Sequence, residues 1–396
     1  MLNGLFNLSP QGYYLLDLDV VTDNFNRFYN SISAKHKNLQ LAYSYKTNYT
    51  PVLCKHLHKL GAWAEVVSEM EFDLAVLNKV KPPEIILNGP SKTRRLVDKC
   101  LNFGSLIQID NLSEWLFVKE WALLNPTKKA MIGLRVNPTD DYKLSSRFGL
   151  SVADSEFEMV LQDLEKFPQL SLKGLHIHVI DQARTPAFFA NHIKYLQKLS
   201  KKYSLELAYL NIGGGFYSEM HPELEKQFLD NIPSMEDYGK ALGIQMQKIN
   251  PEMKLIIEPG ALLVANAMSF ACKIAAIKKN GPTNLAICTG SKYNIKPTLH
   301  AKQMPFTRIG EEVESQFNNI QISGYTCKED DILIDSYSGP LAVGDVLLFD
   351  NLGAYVTVFK PPFIEPDFAI YSAHQGNLTS VRRQQTLSDI LMGFDC

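Results

Sequence analysis

The sequence predicts an α/β protein built from a TIM (β/α)8 barrel and a second, all-β C-terminal domain. Eight short apolar runs between residues 39 and 258 alternate with longer amphipathic segments, which is the strand and helix count of such a barrel. After Gly260 the pattern changes to short alternating runs separated by turn residues, which is typical of antiparallel strands. A chain of 396 residues has room for both domains.

The predicted elements follow one another in a regular order. A lone strand at 13–17 precedes a helical pattern at 20–33. The predicted barrel strands are 39–46, 62–67, 84–88, 105–109, 131–136, 173–179, 207–212 and 254–258. The helical segments between them are 51–60, 69–80, 92–103, 113–124, 154–166 and 186–203. An open, doubly wound parallel sheet is the main structural alternative, but eight consecutive units favour a closed barrel.

The change of pattern near Gly260 also predicts the domain boundary. We expect the barrel at 20–262 and a β-barrel or sandwich domain at 263–396. Strands of the second domain are predicted at 269–277, 285–289, 321–325, 345–348 and 356–359. The lone N-terminal strand, within 10–19, is expected to join this second domain.

Composition restricts the class of partner. A formal net charge of -2 argues against nucleic acid or an anionic membrane as a partner. No basic apolar leader or membrane-length apolar run is present, so the cytoplasm is the predicted location. The six cysteines include no Cys-x-x-Cys, so the sequence suggests neither a zinc knuckle nor a disulfide framework.

The first predicted barrel strand ends on a single lysine, Lys46, flanked by aromatic residues. Thr47, Asn48 and Pro51 mark the turn that follows. Partial burial would lower the pKa of the lysine amine and make it a nucleophile, and the chemistry that needs such an amine is imine formation, above all with pyridoxal phosphate. A lysine whose stem is buried and whose amine reaches solvent is the simpler alternative.

Two glycine-bearing loops follow predicted strands seven and eight, where TIM barrels commonly bind phosphate. The first contains Gly213, Gly214 and Gly215, and the second is Glu258-Pro259-Gly260. Glycines let backbone N–H groups approach a phosphate closely. Glu258 stands where a carboxylate could pair with a pyridine nitrogen, although capping a helix or pairing with a core arginine would explain it equally well.

Predicted strand six carries His176 and His178, whose i, i+2 spacing directs both imidazoles to one face. Such a pair can chelate zinc or iron, but a metal site needs further ligands from other strand ends. The alternative is one hydrogen-bonded core histidine and one ring stacked on a flat group. We therefore predict no metal.

Taken together, these residues resemble the fold-type III pyridoxal phosphate-dependent decarboxylases, the diaminopimelate and ornithine decarboxylase family. The resemblance begins at Tyr43-Ser44-Tyr45-Lys46-Thr47-Asn48 and extends in register over nearly the whole chain. The other matching blocks are Ser68-x-x-Glu71, Arg135-Val136-Asn137-Pro138, Ser146-Arg147-Phe148-Gly149, Gly174-Leu175-His176-Ile177-His178, Gly213-Gly214-Gly215, Glu258-Pro259-Gly260, Cys327-x-x-x-Asp331 and Gly353-Ala354-Tyr355.

The resemblance implies roles for the matching residues. Lys46 would hold pyridoxal 5'-phosphate covalently, His178 would stack on its ring, and Glu258 would pair with the ring nitrogen. The phosphate would be bound by Gly214, Gly215, Gly260 and the hydroxyl of Tyr355. Cys327 would protonate the substrate α-carbon after carbon dioxide leaves. In this family the cysteine comes from the other subunit, which implies a homodimer with active sites at its interface.

Four departures from the family pattern bear on phosphate and substrate. Asp181 replaces a serine of the phosphate site, and Ala261 replaces an arginine. In the Arg-Pro-x-Leu-Tyr block, Lys296 and His300 replace the arginine and tyrosine, and both are predicted to contact substrate, as is Asp331.

The residue after Cys327 is acidic in diamino-acid decarboxylases and is Lys328 here. A cation there disfavours a substrate with a distal ammonium. The sequence therefore predicts α-decarboxylation of an amino acid with an acidic or bulky distal group. Such a substrate would be an intermediate of siderophore or other secondary-metabolite biosynthesis, or an aminoacyl group on a carrier protein.

Three alternatives remain. Glu329 and Asp330 could supply the missing acid, which would leave a diaminopimelate or other diamino-acid decarboxylase. An amino-acid racemase is disfavoured by Glu258, because racemases of this architecture resemble one another in an arginine there. A non-catalytic pyridoxal phosphate-binding regulator is disfavoured because Lys46, Glu258 and Cys327 occur together.

Overall fold

The computed structural model describes residues 2–138, 142, 146–228, 231–312, 316–360 and 362–395. The chain divides into two compact units. The barrel unit comprises Thr22–Tyr217 and Pro233–Leu262. The β unit comprises the chain up to Val21, Ser218–Ile232 and the chain from Leu263 onward, so residues 218–232, inside the predicted barrel range, belong to the β unit.

Strand β1 is Gly12–Asp17, in the β unit. The strands of the barrel unit follow it along the chain: β2 (Leu39–Ser44), β3 (Trp63–Val66), β4 (Ile85–Leu87), β5 (Leu106–Ile109), β6 (Ala130–Asn137), β7 (Leu150–Ser151), β8 (Leu170–His176), β9 (Tyr209–Asn211) and β10 (Lys254–Ile257). All of them except the two-residue β7 form one closed ring of parallel strands, because β10 pairs with β2 and β5 pairs with β6. The predicted TIM barrel is confirmed.

The helices of the chain are α1 (Leu2–Leu5), α2 (Leu18–Ser33), α3 (Pro51–Lys59), α4 (Glu69–Leu77), α5 (Arg94–Phe103), α6 (Leu112–Leu124), α7 (Glu156–Leu164), α8 (Pro186–Lys202), α9 (Pro222–Glu225), α10 (Met235–Ile249), α11 (Ala261–Val264), α12 (Lys292–Ile295) and α13 (Leu387–Leu391). Side-chain caps begin several of them, as where Thr93 accepts a hydrogen bond from Leu96 N. No helix in the described ranges has the length and apolar character that crossing a membrane requires.

The sequence pattern did not predict α10. This helix begins with a reciprocal cap between Ser234 and Asp237, but Gly239 and Gly243 interrupt its apolar pattern. Both glycines lie where another part of the barrel unit approaches the helix, and a Cβ at Gly239 would overlap the hydroxyl of Ser31. Close packing therefore explains the residues that hid the helix.

The β unit contains β11 (Met268–Asn280), β12 (Thr283–Cys288), β13 (Phe306–Ile309), β14 (Gln316–Ser323), β15 (Ile332–Pro340), β16 (Val346–Phe349), β17 (Ala369–His374) and β18 (Asn377–Arg382). Its strand order is β15-β14-β12-β11-β1-β17-β18, and β16 joins β11 to β13. Strand β1 pairs antiparallel with β11 and parallel with β17. The predicted second domain built of strands is confirmed.

The strand predicted at 356–359 is wrong. Tyr355 has a positive φ of 61°, which breaks an extended backbone before the segment begins. Lys360 N then donates to Val356 O, which closes a turn.

Candidate active site

A pocket of about 680 Å³ lies at the carboxyl ends of the barrel strands. It is lined by Lys46, Glu65, Val67, Asn88, Gly89, Pro90, Arg135, Ser146, Arg147, Phe148, His176, His178, Val179 and Ile180. All of these residues belong to the barrel unit. The strand ends of a parallel barrel converge, so side chains far apart in sequence meet there.

Lys46 stands on the single turn Tyr45–Thr47 that directly follows β2. Its side chain is 32% exposed, and Nζ lies 2.5 Å from Oε2 of Glu65 in β3. Ser44 Oγ donates to the same carboxylate oxygen at 2.5 Å. The amine therefore sits at the pocket wall beside a buried counter-ion, where its charge is held and its approach to a ligand stays open.

Glu258 directly follows β10, and its side chain is fully buried. Oε1 accepts hydrogen bonds from Asn88 Nδ2 at 2.9 Å and Asn211 Nδ2 at 2.6 Å. Oε2 has no hydrogen-bond partner among the described residues and lies 3.4 Å from Nε2 of His176. One oxygen is thus fixed by two amides while the other remains available as an acceptor.

Burial by itself would raise the pKa of Glu258. The positive charges of His176, His178 and Lys46 outweigh that effect and hold the pKa well below its ordinary value. The carboxylate is therefore ionised at neutral pH, as an acceptor for a protonated ring nitrogen must be.

His178 presents a neutral ring to the pocket. Burial lowers its pKa well below the ordinary value, and the nearby charges of Arg135 and Lys46 lower it further. The guanidinium of Arg135 donates to His178 O at 3.1 Å and to Asp110 Oδ1 at 2.9 Å, which fixes the backbone that carries the ring. Ligand atoms of His176, His178 and Glu258 lie within 4.8 Å of one another, so these are the three groups on which a metal site would depend.

The glycine loops need their glycines. A Cβ at Gly214 would lie 2.1 Å from Glu258 O, and a Cβ at Gly260 would lie 2.2 Å from Thr47 Oγ1. Gly215 has a φ of +100°, and the Ile180 side chain packs against it. Asp181 Oδ1 accepts a hydrogen bond from Arg184 N at 2.6 Å, so this carboxylate is engaged in its own turn.

The remaining predicted site residues belong to the β unit. Lys296, His300 and Tyr355 line one pocket of about 380 Å³. Burial is the first cause that lowers the pKa of both Lys296 and His300, and the charge of Lys296 lowers that of His300 further.

Cys327 is exposed on a loop that Asp331 holds in shape. Oδ1 of Asp331 accepts from Ser291 Oγ and Lys292 N, and Oδ2 accepts from Thr326 N and Oγ1. The predicted contact of Asp331 with substrate stays a prediction, since both of its oxygens are already bonded. Lys328 Nζ lies 3.6 Å from Asp330 Oδ1, and the Lys328 side chain is 45% exposed.

Sequence reasoning missed three buried polar residues that complete the site. Glu65, Asn88 and Asn211 each lie inside or directly after an apolar strand and contact Lys46 or Glu258. The available signal was a single polar residue in an otherwise apolar run. It also missed the buried ion pair between Lys92 Nζ and Glu114 Oε2, 2.7 Å apart, in which Lys92 also donates to Gly89 O at the pocket wall.

Comparison with known proteins now identifies the family. Residues 19–265, well over half of the chain, match the model of the pyridoxal-dependent decarboxylase pyridoxal-binding domain. The chain belongs to the pyridoxal-dependent decarboxylase family. It is therefore a pyridoxal phosphate-dependent amino-acid decarboxylase, and the cofactor and reaction class predicted from the sequence are confirmed.

Relatives and solved structures extend the likeness over the whole chain. Diaminopimelate decarboxylase of Methanocaldococcus jannaschii is 25% identical over 86% of this chain and 81% of its own length. The crystal structure of diaminopimelate decarboxylase from that organism superposes with a TM-score of 0.87 at 22% identity, covering 99% of this chain and 94% of the other. Lysine/ornithine decarboxylase of Vibrio vulnificus gives a TM-score of 0.76 at 19% identity, covering 91% of this chain and 94% of the other.

The pocket residues fit pyridoxal phosphate. Glu258 Oε2 is a buried, ionised acceptor without a partner among the described residues, as a protonated ring nitrogen requires. Lys46 supplies an amine, and Gly214 and Gly260 leave backbone exposed where side chains would block a phosphate.

Glu71 gives the site unit a pH-dependent stability. Burial raises its pKa from 4.5 to about 7, and the charge of Glu65 contributes to the increase. The folded protein binds this proton more tightly than the unfolded chain, so the stability contribution of Glu71 falls as the pH rises from 4.5 to 7.

We expect Glu71→Gln to gain about 3 kcal/mol of unfolding free energy relative to the native protein between about pH 5 and about pH 8. Urea unfolding at both pH values measures the difference. The exposed control Glu165→Gln should show the same difference at both. An equal difference for Glu71→Gln at the two pH values would contradict the assignment.

Proposed function

We propose that this chain removes the α-carboxylate of an amino acid in the pocket between Lys46 and Glu258. One observation supports the proposal above the others. Lys46, Glu65, Asn88 and Glu258 form one continuous hydrogen-bonded network from the amine to the carboxylate. A nucleophilic amine and a ring-nitrogen acceptor are thus held in fixed relation across a pocket of suitable size.

Each residue of the pocket has a definite task in this proposal. Lys46 provides the amine that binds the cofactor, and Glu65 holds the proton of that amine when the substrate displaces it. His178, being neutral, packs against a ring face without competing for the proton of the ring nitrogen. Glu258 keeps that nitrogen protonated. When bound, the cofactor supplies the electron sink for the bond that breaks as carbon dioxide leaves.

The phosphate and the final proton transfer complete the proposal. Backbone N–H groups of Gly214, Gly215 and Gly260 bind phosphate, because no side chain covers them. Two further roles rest on the family resemblance, namely a phosphate contact from the Tyr355 hydroxyl and α-carbon protonation by Cys327.

The proposed substrate carries a carboxylate at its distal end. Lys328 and Lys292 both approach the carboxylate of Asp330, so this group of three side chains keeps a net positive charge. Lys296 and His300 add two nitrogen donors in the β unit. Diaminopimelate has such a distal carboxylate, and the names of the relatives support it. The second candidate is an acidic or bulky siderophore or carrier-bound intermediate without a distal ammonium, which the cation at Lys328 favours.

Carbon dioxide release from a panel of amino acids tests the substrate proposal. We expect diaminopimelate to exceed lysine and ornithine in kcat/KM by about tenfold or more, because only diaminopimelate offers a distal carboxylate. Lys328→Glu should narrow that ratio, whereas Lys37→Glu, far along the sequence in the barrel unit, should leave it unchanged. Equal turnover of lysine and diaminopimelate by the native protein would contradict the proposal. A larger rate with glutamate-like substrates would favour the second candidate.

We further propose a homodimer in which the acid is Cys327 of the partner subunit. Lys46→Ala and Cys327→Ala should each be nearly inactive, but one site in each mixed dimer retains both residues. Random exchange of equal amounts should therefore restore about a quarter of native activity. Carbon dioxide release after mixing measures the recovery. A mixture no more active than its components would show that both residues must come from one chain.

A further inference from the structure

Asn88 occupies the first position after β4 and lies between two buried carboxylates. Its single Nδ2 donates to Glu65 Oε1 at 3.0 Å and to Glu258 Oε1 at 2.9 Å. Asn88 is 4% exposed, and Glu65 and Glu258 are each 1% exposed. The second oxygen of Glu65 binds Lys46. One amide thus joins the counter-ion of the amine to the carboxylate that faces the cofactor ring.

Two like charges buried side by side repel each other strongly, because water is absent to screen them. A shared donor lowers that cost by placing a positive dipole between the two carboxylates. The orientation of the amide is fixed by this demand, since the reversed amide would place Oδ1 against both anions. Asn88 Oδ1 itself has no hydrogen-bond partner among the described residues.

We propose that Asn88 is a positioning residue that couples Lys46 to Glu258. It holds Glu65 against the amine and, together with Asn211, fixes Glu258 Oε1 so that Oε2 faces the cofactor. The inference rests on the proposed placement of the cofactor between Lys46 and Glu258. The charged and titratable groups that face this network are Glu65, Lys46, Glu258, His176, His178 and Arg135.

Asn88→Asp tests the coupling because aspartate has the size and shape of asparagine. Its carboxyl can donate a hydrogen bond only while protonated, and two neighbouring carboxylates favour that form. We expect the dissociation constant of pyridoxal phosphate to stay within about threefold of the native value near about pH 6 and to rise by about tenfold or more near about pH 9. Asn88→Ala lacks the donor at every pH and should raise the constant by a similar factor at both pH values.

Equilibrium dialysis with pyridoxal phosphate gives these constants, and thermal unfolding confirms that each variant folds. Asn191→Asp adds the same charge at an exposed position of α8 and should match the native protein at both pH values. A ratio for Asn88→Asp that is unaffected by pH, or native affinity in Asn88→Ala, would overturn the inference.

Lys46→Ala, measured in parallel, separates this inference from the proposed function. If the native protein shows a visible absorption band that Lys46→Ala loses, the cofactor is placed as proposed and the Asn88 result decides the coupling alone. If the band is unchanged in Lys46→Ala, the placement itself fails, and the coupling fails with it.

Discussion

The buried charge of Glu258 is the constraint on which the site depends. A carboxylate removed from water costs several kcal/mol unless hydrogen bonds and opposite charges replace its hydration, here on the order of two or three donors. Asn88 and Asn211 supply the hydrogen bonds, and His176 and Lys46 contribute the opposite charge. These groups keep the carboxylate ionised and leave one oxygen available.

The closed barrel brings those groups together. Strand β10 pairs with β9, where Ile256 is opposite Asn211, and with β2, where Ile257 is opposite Leu41. Ser44 N also donates to Pro259 O, which joins the start of the lysine turn to the Glu258 loop. The register therefore places the end of the chain's first barrel strand beside the end of its last, and the amine beside the carboxylate network. A slip of one residue would reverse which face each side chain occupies.

Much of this organisation could be predicted, because barrel strands and their helices have periodicities that a single sequence displays. Lys46, His178 and Glu258 were recognisable as polar residues at predicted strand ends. Glu65 and Asn88 were not, since their importance arises only when β3 and β4 are closed into the ring beside Lys46. Close packing at Gly239 hid α10, and the positive φ of Tyr355 ended a segment that apolar residues alone made look extended. Cys327 has no local pattern that reveals acid chemistry, so its role was drawn from resemblance.

The account depends most directly on which amine holds the cofactor. Borohydride reduction of the purified holoenzyme, followed by peptide mass mapping, fixes the pyridoxyl group to the lysine that carries it. The account predicts the added mass on the peptide that contains Lys46, and no stable addition to Lys46→Ala. Addition to a different lysine in the native protein would contradict it.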